Sequence, residues 1–312
     1  MSERLRSLGG YMSNRLFRII APVLAGFSTL TVASAGPVIL PVATSTINLN
    51  RGAGFAGSTA MNIAFHPGFN QYYGGHGGNI NFSMFVWDST GNLLQTFTPS
   101  GVDTRALNYN GNTGALEDVT FNAIAGGNPS GLVQMGLDGS GLFNGSNTNL
   151  LAALPGLDGS QTMPAYDSAR NQFYSRSASG TLNVVSRFNG SLLGTIPLDL
   201  VAAGSPALQG EFVGHDSFFD VFITLDITNQ RALVHDFTGA YLGASSIGIF
   251  NPDFTDYNVG YANGQLFAFD QQINAWRGYD LFEESPLPEP STVSLMGVAL
   301  AVLFAMRKRV RS

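Results

Sequence analysis

A repeat of about 50 residues constrains this chain more than any other feature of its sequence. Four segments share an aromatic or leucine residue, a turn and then small apolar residues, and they begin at Trp87, Leu137, Phe188 and Phe237. The spacings between these starts are 50, 51 and 49 residues. A unit of this length, made of about four short strands, is typical of propeller blades. The repeat therefore predicts a ring of similar β-sheets.

Short strands separated by turn residues account for the rest of the body, residues 36–285. Gly, Asn, Asp, Ser and Pro recur there every 8–12 residues, and no amphipathic helix is evident. The pattern predicts strands over 81–87, 172–177, 181–188, 220–226, 231–237 and 265–269. A second recurring element precedes some copies of the turn, namely Phe65 to Tyr73, Ala165 to Tyr174 and Val259 to Phe267. The expected class is all-β.

The length of the body fixes the expected number of blades. About 250 residues hold about five units, and the last unit is truncated after Tyr279 and Asp280. A strand over 38–49 is therefore expected to complete it, because closure removes the exposed sheet edges that an all-β protein must otherwise protect. The shared turn is expected between the third strand and the outer strand of each blade. The alternative is a β-sandwich or jelly roll whose turns are regularly spaced by chance.

Charge divides the chain into three zones. Residues 1–35 carry a net charge of +3, residues 36–287 carry −12, and residues 288–312 carry +3. The middle zone has no lysine, and the chain has no cysteine. The acidic charge of the body excludes a basic nucleic-acid-binding module. The absence of cysteine excludes a disulfide scaffold and thiol chemistry. Basic ends on an acidic body are typical of targeting segments.

The N-terminal zone has the order of a secretory signal peptide. Arg15 and Arg18 precede an apolar stretch over 19–30, which ends in small residues. We predict a signal helix within residues 1–35, with Met12 as an alternative start. The residues that define the expected cut are Ala33, Ala35 and Gly36, and the mature chain would begin at Gly36.

The C-terminal zone, residues 286–312, has three ordered parts. Pro288, Glu289 and Pro290 come first, and residues 291–306 follow without a charge. As a helix this stretch spans about 24 Å, which is shorter than the bilayer's hydrocarbon core of about 30 Å. Local thinning of the bilayer and snorkelling of the flanking arginine side chains can compensate for the difference. The chain ends in a basic cluster of Arg307, Lys308, Arg309 and Arg311. The positive-inside rule keeps that cluster cytoplasmic, so we predict a transmembrane helix over 291–306 and a body outside the inner membrane.

This tail resembles the PEP-CTERM sorting signal of Gram-negative bacteria, over about residues 287–311. The resemblance implies processing near Pro288-Glu289-Pro290 by an exosortase-like membrane protease. It implies a protein held transiently in the inner membrane and then found at the cell surface or released. Members of the family are surface and extracellular-matrix components that often accompany exopolysaccharide production, so exopolysaccharide and surface proteins are the expected partners. The alternative is a permanent tail anchor. The resemblance implies nothing about the chemistry of the body.

Candidate site residues in the body are few. His215-Asp216 and His235-Asp236 repeat a His-Asp pair, which could converge at the axial mouth of a propeller as a metal site or acid–base pair. Strand-edge and turn residues bonded to the backbone are the alternative. Residues 251–258 and 138–149 are rich in Asp and Asn, which could bind Ca²⁺ but fit no EF-hand spacing. We therefore assign no catalytic residue, no metal site and no cofactor, with Ca²⁺ alone left open.

Two classes of function follow from the body. The first is a non-enzymatic binding or structural module of an exported surface or matrix protein. The second is a secreted propeller hydrolase or lactonase-like enzyme with a His and acid site at the axial mouth. An enzyme needs His215 or His235 in one pocket with two carboxylates, within hydrogen-bond reach. The geometry of these histidines therefore discriminates between the two classes.

Overall fold

The computed structural model describes residues 36–57, 59–121, 131–176, 180–205, 208, 211–248 and 257–283. The predicted signal peptide and the sorting tail lie outside the described residues. The chain divides into two compact units, residues 1–36 and 37–312, and the second contains the body. Within the described ranges all twenty regular elements are β-strands. Those ranges contain no helix that is long and apolar enough to span a membrane.

The strands form five four-stranded units, which we call blades 1 to 5. Blade 1 contains β2 (Thr59–His66), β3 (Gln71–Gly77), β4 (Met84–Asp88) and β5 (Leu93–Phe97). Blade 2 contains β6 (Thr104–Asn110), β7 (Ala115–Thr120), β8 (Gly131–Gln134) and β9 (Thr148–Leu151). Blade 3 contains β10 (Ala165–Asp167), β11 (Gln172–Ser175), β12 (Thr181–Ser186) and β13 (Leu192–Pro197). Blade 4 contains β14 (Gly214–Asp216), β15 (Val221–Asp226), β16 (Arg231–Asp236) and β17 (Tyr241–Ser246). Blade 5 contains β18 (Val259–Ala262), β19 (Gln265–Asp270), β20 (Ala275–Phe282) and the N-terminal strand β1 (Ile39–Asn50).

The first strands of the blades close a ring. Strand β2 contacts β6, β6 contacts β10, β10 contacts β14, β14 contacts β18, and β18 returns to β2. Strand β1 completes blade 5 by pairing antiparallel with β20, from Ile39 opposite Phe282 to Asn50 opposite Ala275. It also meets β17 through the single parallel pair Val42 and Ser246, which joins blades 4 and 5 into one eight-stranded sheet. The all-β, propeller-like architecture and the closing strand are therefore confirmed.

Most of the core lies between the blades. Five apolar clusters each join neighbouring blades, and the one between blades 4 and 5 also includes Met61 of blade 1. Burial of each large side chain stabilises the fold by about 1.5–3 kcal/mol. Between blades 5 and 1, for example, Phe267 and Trp276 pack with Ile63 and Trp87. The other four clusters lie between blades 1 and 2, 2 and 3, 3 and 4, and 4 and 5.

The repeated turn lies between the third and fourth strands of blades 1 to 4, as predicted. In blade 1 the Asp88 carboxylate accepts hydrogen bonds from the backbone N–H groups of Thr90 and Asn92. Asp138 and Asp236 cap their turns in the same way. The following glycine has a positive φ and lies against the preceding blade: a Cβ on Gly91 would stand 2.2 Å from the carbonyl oxygen of Asn48 in β1. The repeat thus marks the place where each blade contacts its neighbour.

The structure corrects the alignment of this repeat. The turn glycines Gly91, Gly141, Gly190 and Gly239 are equivalent, with spacings of 50, 49 and 49 residues. On that alignment Phe188 and Phe237 belong to the turn, and Phe188 is 80% exposed. The buried strand position of Trp87 corresponds to Val185 in blade 3 and to His235 in blade 4. The sequence pattern was misleading because an aromatic residue follows the capping position in blades 3 and 4 but precedes it in blade 1.

Candidate functional site

A cavity of about 700 Å³ lies on the axis of the ring, where the inner strands of the blades end. All five inner strands, β2, β6, β10, β14 and β18, contribute to its wall. Turns to the second strands form the rim, at Pro67, Ser217 and Asn263 for example. The ring closure that removes sheet edges therefore also creates a concave site on the axis.

Five structurally equivalent side chains surround this cavity. Each occupies the penultimate position of its inner strand and lines the cavity. They are Phe65, Tyr109, Tyr166, His215 and Tyr261, and we call them the axial ring. All five are aromatic, although the blades share little other sequence. Sequence reasoning identified only His215. The second recurring element could have revealed three of the other four, since its copies contain Phe65, Tyr166 and Tyr261, but none of them contains Tyr109.

Neighbouring groups fix the orientation of the axial ring. The Tyr166 hydroxyl donates to Asn171 Oδ1 over 2.8 Å, and the Tyr109 ring lies 4.7 Å from the His66 ring. The Tyr261 hydroxyl donates to Asp216 Oδ2 over 2.6 Å. Burial and the Asp216 charge raise the pKa of Tyr261 well above its ordinary value, so this phenol remains a donor at neutral pH.

Asp216 supplies a buried carboxylate to the cavity wall. Asp216 is 6% exposed, and its Oδ1 accepts hydrogen bonds from the backbone N–H groups of Phe218 and Phe219, each over 2.9 Å. With the Tyr261 phenol it therefore has three neutral donors. Among the described residues, no arginine or lysine lines the cavity, and no side chain forms an ion pair with Asp216. Buried charges are ordinarily paired, so this one is unusual.

His215 faces a separate charged cluster with Asp167, Asp220 and Arg170. The side-chain ligand atoms of Asp167, His215 and Asp220 lie within 4.8 Å of one another, which is compatible with a metal ion. However, Arg170 already donates to Asp167 Oδ2 over 2.8 Å and to Asp220 Oδ2 over 2.6 Å. The hydrogen bond from Arg170 lowers the pKa of Asp220 despite partial burial. The guanidinium thus supplies the positive charge that a metal would bring, and the residues fit an ion-pair network better than a metal centre.

The two predicted His-Asp pairs occupy different parts of blade 4. His215 and Asp216 end the inner strand and line the axial cavity, whereas His235 and Asp236 end the third strand and do not line it. His235 is fully buried, neither ring nitrogen has a hydrogen-bond partner among the described residues, and Asp236 caps the turn. Sequence adjacency to aspartate could not distinguish these places, because both pairs end a strand.

The other two histidines of the chain and the calcium candidates do not extend the site. His76 is buried against Arg51, and His66 Nε2 lies 3.0 Å from the carbonyl oxygen of Gly114. For the calcium hypothesis, residues 251–256 lie outside the described residues, and Asp138 caps its own turn. The cleavage residues Ala33 and Ala35, the motif Pro288-Glu289-Pro290, the helix 291–306 and the basic cluster also lie outside the described residues.

A second cleft of about 790 Å³ adjoins the axial cavity over blade 5. The two spaces share Asp216, Phe218, Asn263 and Gly264. Blade 5 turns from its first to its second strand through only Asn263 and Gly264, with φ values of 53° and 76°, where the other blades use four residues. This short turn lowers one side of the rim and opens the cavity sideways.

Comparison with known proteins supports the fold and the tail separately. Residues 286–309 match the family described as the PEP-CTERM protein-sorting motif. No curated protein matches the sequence. The glutaminyl cyclase of Myxococcus xanthus has a similar fold, with a TM-score of 0.52, 12% identity and coverage of 78% of this chain and 98% of that chain. A protein of unknown function from Bacteroides thetaiotaomicron aligns with a TM-score of 0.45, 9% identity and coverage of 79% and 75%.

The sorting match confirms the resemblance inferred from the Pro-Glu-Pro motif, the uncharged stretch and the basic end. The motif implies export, sorting to the surface and processing by exosortase, a membrane protein. The structural likeness, at 12% identity, concerns the fold of the body alone. The chain therefore carries the PEP-CTERM sorting motif, which implies export, at residues 286–309, C-terminal to a propeller-like β-body.

Proposed function

We propose that the body is a non-enzymatic binding module displayed at the cell surface, and that the axial cavity is its ligand-binding site. The axial ring is the observation that carries this proposal. Packing of neighbouring blades requires apolar residues between sheets, but it does not require an aromatic residue at the same axial position of all five blades. A cavity of about 700 Å³ also falls within the range of ordinary ligand sites.

The remaining steps of the proposal concern delivery. The signal peptide is removed before Gly36, and a transmembrane helix over 291–306 holds the body outside the inner membrane. Exosortase then cuts near Pro288-Glu289-Pro290, and the body reaches the surface or the extracellular matrix. The order of charged and apolar segments and the sorting match support this route.

A cavity-filling variant tests the binding proposal. Asn108 lines the cavity and is partly exposed, so Asn108→Trp should occupy the space with little loss of packing. Thr228→Trp, in the exposed β15–β16 turn, is the matched control. Protein recovered from the surface fraction would be screened by thermal shift against small neutral, cationic and anionic compounds. A compound that stabilises wild type and Thr228→Trp but not Asn108→Trp supports the proposal, and equal stabilisation of all three contradicts it.

The enzyme alternative has one observation in its favour. His215 lies at the cavity with Asp216, and its Nε2 lies 3.2 Å from Asp220 Oδ1, which is an acid–base arrangement. A glutaminyl cyclase also uses a similar fold. Two assays test this alternative: release of ammonia from a glutaminyl peptide, and hydrolysis of simple esters and lactones. Turnover that is lost in His215→Gln would replace the binding proposal with an enzyme.

A further inference from the structure

We infer that the axial cavity takes an organic ammonium group, bound between the axial ring and the Asp216 carboxylate. This inference rests on the proposed function and names the chemical class of its ligand. Three features of the wall, as formed by the described residues, carry it: the absence of arginine and lysine, a buried carboxylate that has no ion-pair partner, and aromatic residues on every blade.

The charge balance of the wall disfavours anions. Among the described residues, neither the axial cavity nor the adjoining cleft is lined by arginine or lysine, whereas Asp216, Asp280 and Glu283 line one or both. The surrounding body carries a net charge of −12, so its long-range field has the same sign. A phosphate, a carboxylate or an acidic polymer would meet repulsion without a compensating partner.

Asp216 is the group that a cation would complete. Its two oxygens accept hydrogen bonds from two backbone N–H groups and one phenol, but these donors are neutral. None of these donors supplies a positive charge to Asp216, which is only 6% exposed. A ligand cation in the cavity would supply the opposite charge at low dielectric, where the attraction is stronger than in water.

The axial ring distinguishes an organic cation from a metal ion. Aromatic faces are poor ligands for hard cations but attract ammonium groups through the ring quadrupole. The Nε2 of His215 faces the Asp220 carboxylate, and its Nδ1 is buried without a hydrogen-bond partner among the described residues.

A probe series of constant shape tests the inference with the wild-type processed protein. Benzylammonium, benzyl alcohol and benzoate share one ring and differ in charge, and calorimetry would give the dissociation constant of each. We expect benzylammonium to bind at least about tenfold more tightly than benzyl alcohol, equivalent to about 1.4 kcal/mol, and benzoate to bind more weakly than both. Glucosamine and N-acetylglucosamine form a second pair, which distinguishes a sugar amine from other amines.

Two variants locate the effect. Asp216→Asn should reduce the preference for benzylammonium over benzyl alcohol to less than about twofold. Asp138→Asn removes an exposed turn-capping carboxylate from blade 2 and should leave the preference unchanged. If Asp216→Asn unfolds, the salt dependence of the wild type decides the matter, because only a charge-dependent contact weakens as ionic strength rises.

The outcomes separate this inference from the proposed function. Equal affinity for benzylammonium and benzyl alcohol, both lost in Asn108→Trp, overturns the ammonium inference and leaves the binding site in place. Tighter binding of benzoate overturns it as well. Absence of binding by the whole series, together with no stabilising compound in the thermal-shift screen, overturns both.

A different observation supports a second inference, about the direction of the cavity. Strand β20 ends and strand β1 begins at the same end of the ring, where the Glu283 N–H donates to the carbonyl oxygen of Val38 over 2.9 Å. The inner strands also end there, since β18 and β20 run in the same direction on either side of β19. The chain therefore leaves the body on the side of the cavity, and Glu283 itself lines the adjoining cleft.

From this placement we infer that the cavity faces the membrane until the tail is cut. Only seven residues, 284–290, separate Glu283 from the uncharged stretch, and they reach at most about 25 Å when extended. A tether this short keeps the exit side of the ring nearest to the bilayer. Exosortase processing would then expose the cavity to large ligands as well as release the body.

Cysteine labelling tests this orientation, because the chain has no cysteine of its own. Ser217 lies on the cavity side of blade 4 and Thr228 on the opposite side, joined by strand β15, and both positions are exposed. In membrane vesicles that hold the full-length precursor, we expect a bulky maleimide–polyethylene glycol to react at least about five times more slowly with the Ser217→Cys variant than with the Thr228→Cys variant. In the processed protein the two rates should be similar. Equal rates in the precursor would overturn the inference.

Discussion

His235 is the residue whose replacement tests the account of the blade interfaces most sharply. It is fully buried in blade 4, at the position that Trp87 and Val185 occupy in blades 1 and 3. Neither of its ring nitrogens has a hydrogen-bond partner among the described residues. Burial lowers the pKa of His235 to about 4, so the ring is neutral at pH 7. An apolar side chain should therefore fit this position better than histidine.

His235→Leu should stabilise the protein at pH 7. A buried polar group without a partner costs about 1–3 kcal/mol, and repacking of a volume-matched apolar side chain costs less than about 1.5 kcal/mol. We expect a net gain of about 1–3 kcal/mol in the free energy of unfolding. For a body of this size each kcal/mol corresponds to a shift of about 2–4 °C in the melting temperature.

The gain should grow as the pH falls. The folded pKa of His235 is about 4 against an ordinary value of 6.5, so between these values the unfolded chain binds a proton that the folded chain does not. Wild-type stability therefore falls as the pH decreases through this window. Since one pKa unit corresponds to about 1.36 kcal/mol, the wild type should lose about 2 kcal/mol at pH 5 that His235→Leu retains.

Urea unfolding monitored by tryptophan fluorescence at pH 7 and pH 5 measures both effects. His76→Leu is the matched control, because burial and Arg51 also lower the pKa of His76 to about 4. His76, however, bonds to Arg51 and to the carbonyl oxygen of Ala56, so His76→Leu should destabilise the protein at pH 7. A His235→Leu protein that is less stable than wild type at both pH values, or one with an unchanged pH dependence, would refute the reasoning.

Three further predictions follow from the buried groups, the repeated turn and the tail. Burial raises the pKa of Asp118 to about 7. Asp118→Asn should therefore stabilise the protein by about 2–4 kcal/mol at pH 8 and by little at pH 4, as measured by urea titration. An equal effect at both pH values would contradict this prediction. Gly91→Ala should destabilise by about 3 kcal/mol or more, because its Cβ would meet the Asn48 carbonyl at a φ of 90°, whereas Gly139→Ala, with open space around it, should be nearly neutral. Replacement of Pro288, Glu289 and Pro290 by alanine should leave a full-length membrane-bound form in intact-mass measurements, whereas a processed form at wild-type level would contradict the role of the motif.

The architecture could be predicted from the sequence because the turn that repeats about every 50 residues forms the contact between neighbouring blades. Asp88 and its counterparts cap the turn, and glycines such as Gly91 allow it to lie against the preceding blade. The capping aspartate and the glycine lie within a few residues of each other, so a short sequence pattern reveals both. The closing strand was predictable for a related reason, since the last blade lacked a fourth strand and residues 38–49 had no other partner.

The candidate site was less accessible to sequence reasoning because it is assembled from five distant strands. The axial ring is defined by position, the residue before the last of each inner strand, and not by residue type, since it contains phenylalanine, tyrosine and histidine. Both His-Asp pairs were candidates because of their residue types, but only His215-Asp216 lies on an inner strand. The missing counter-ion of Asp216 depends on contacts across blades 4 and 5, which no local pattern contains.

The crystal structure of the processed protein with benzylammonium would test the central claim, that the axial cavity is the binding site of this exported protein, most directly. We expect one ligand inside the axial ring, with its ammonium group within hydrogen-bond distance of Asp216 and its aromatic ring against the inner strands. A ligand that binds in solution but occupies the outer surface of the blades, with the axial cavity filled by water alone, would contradict it.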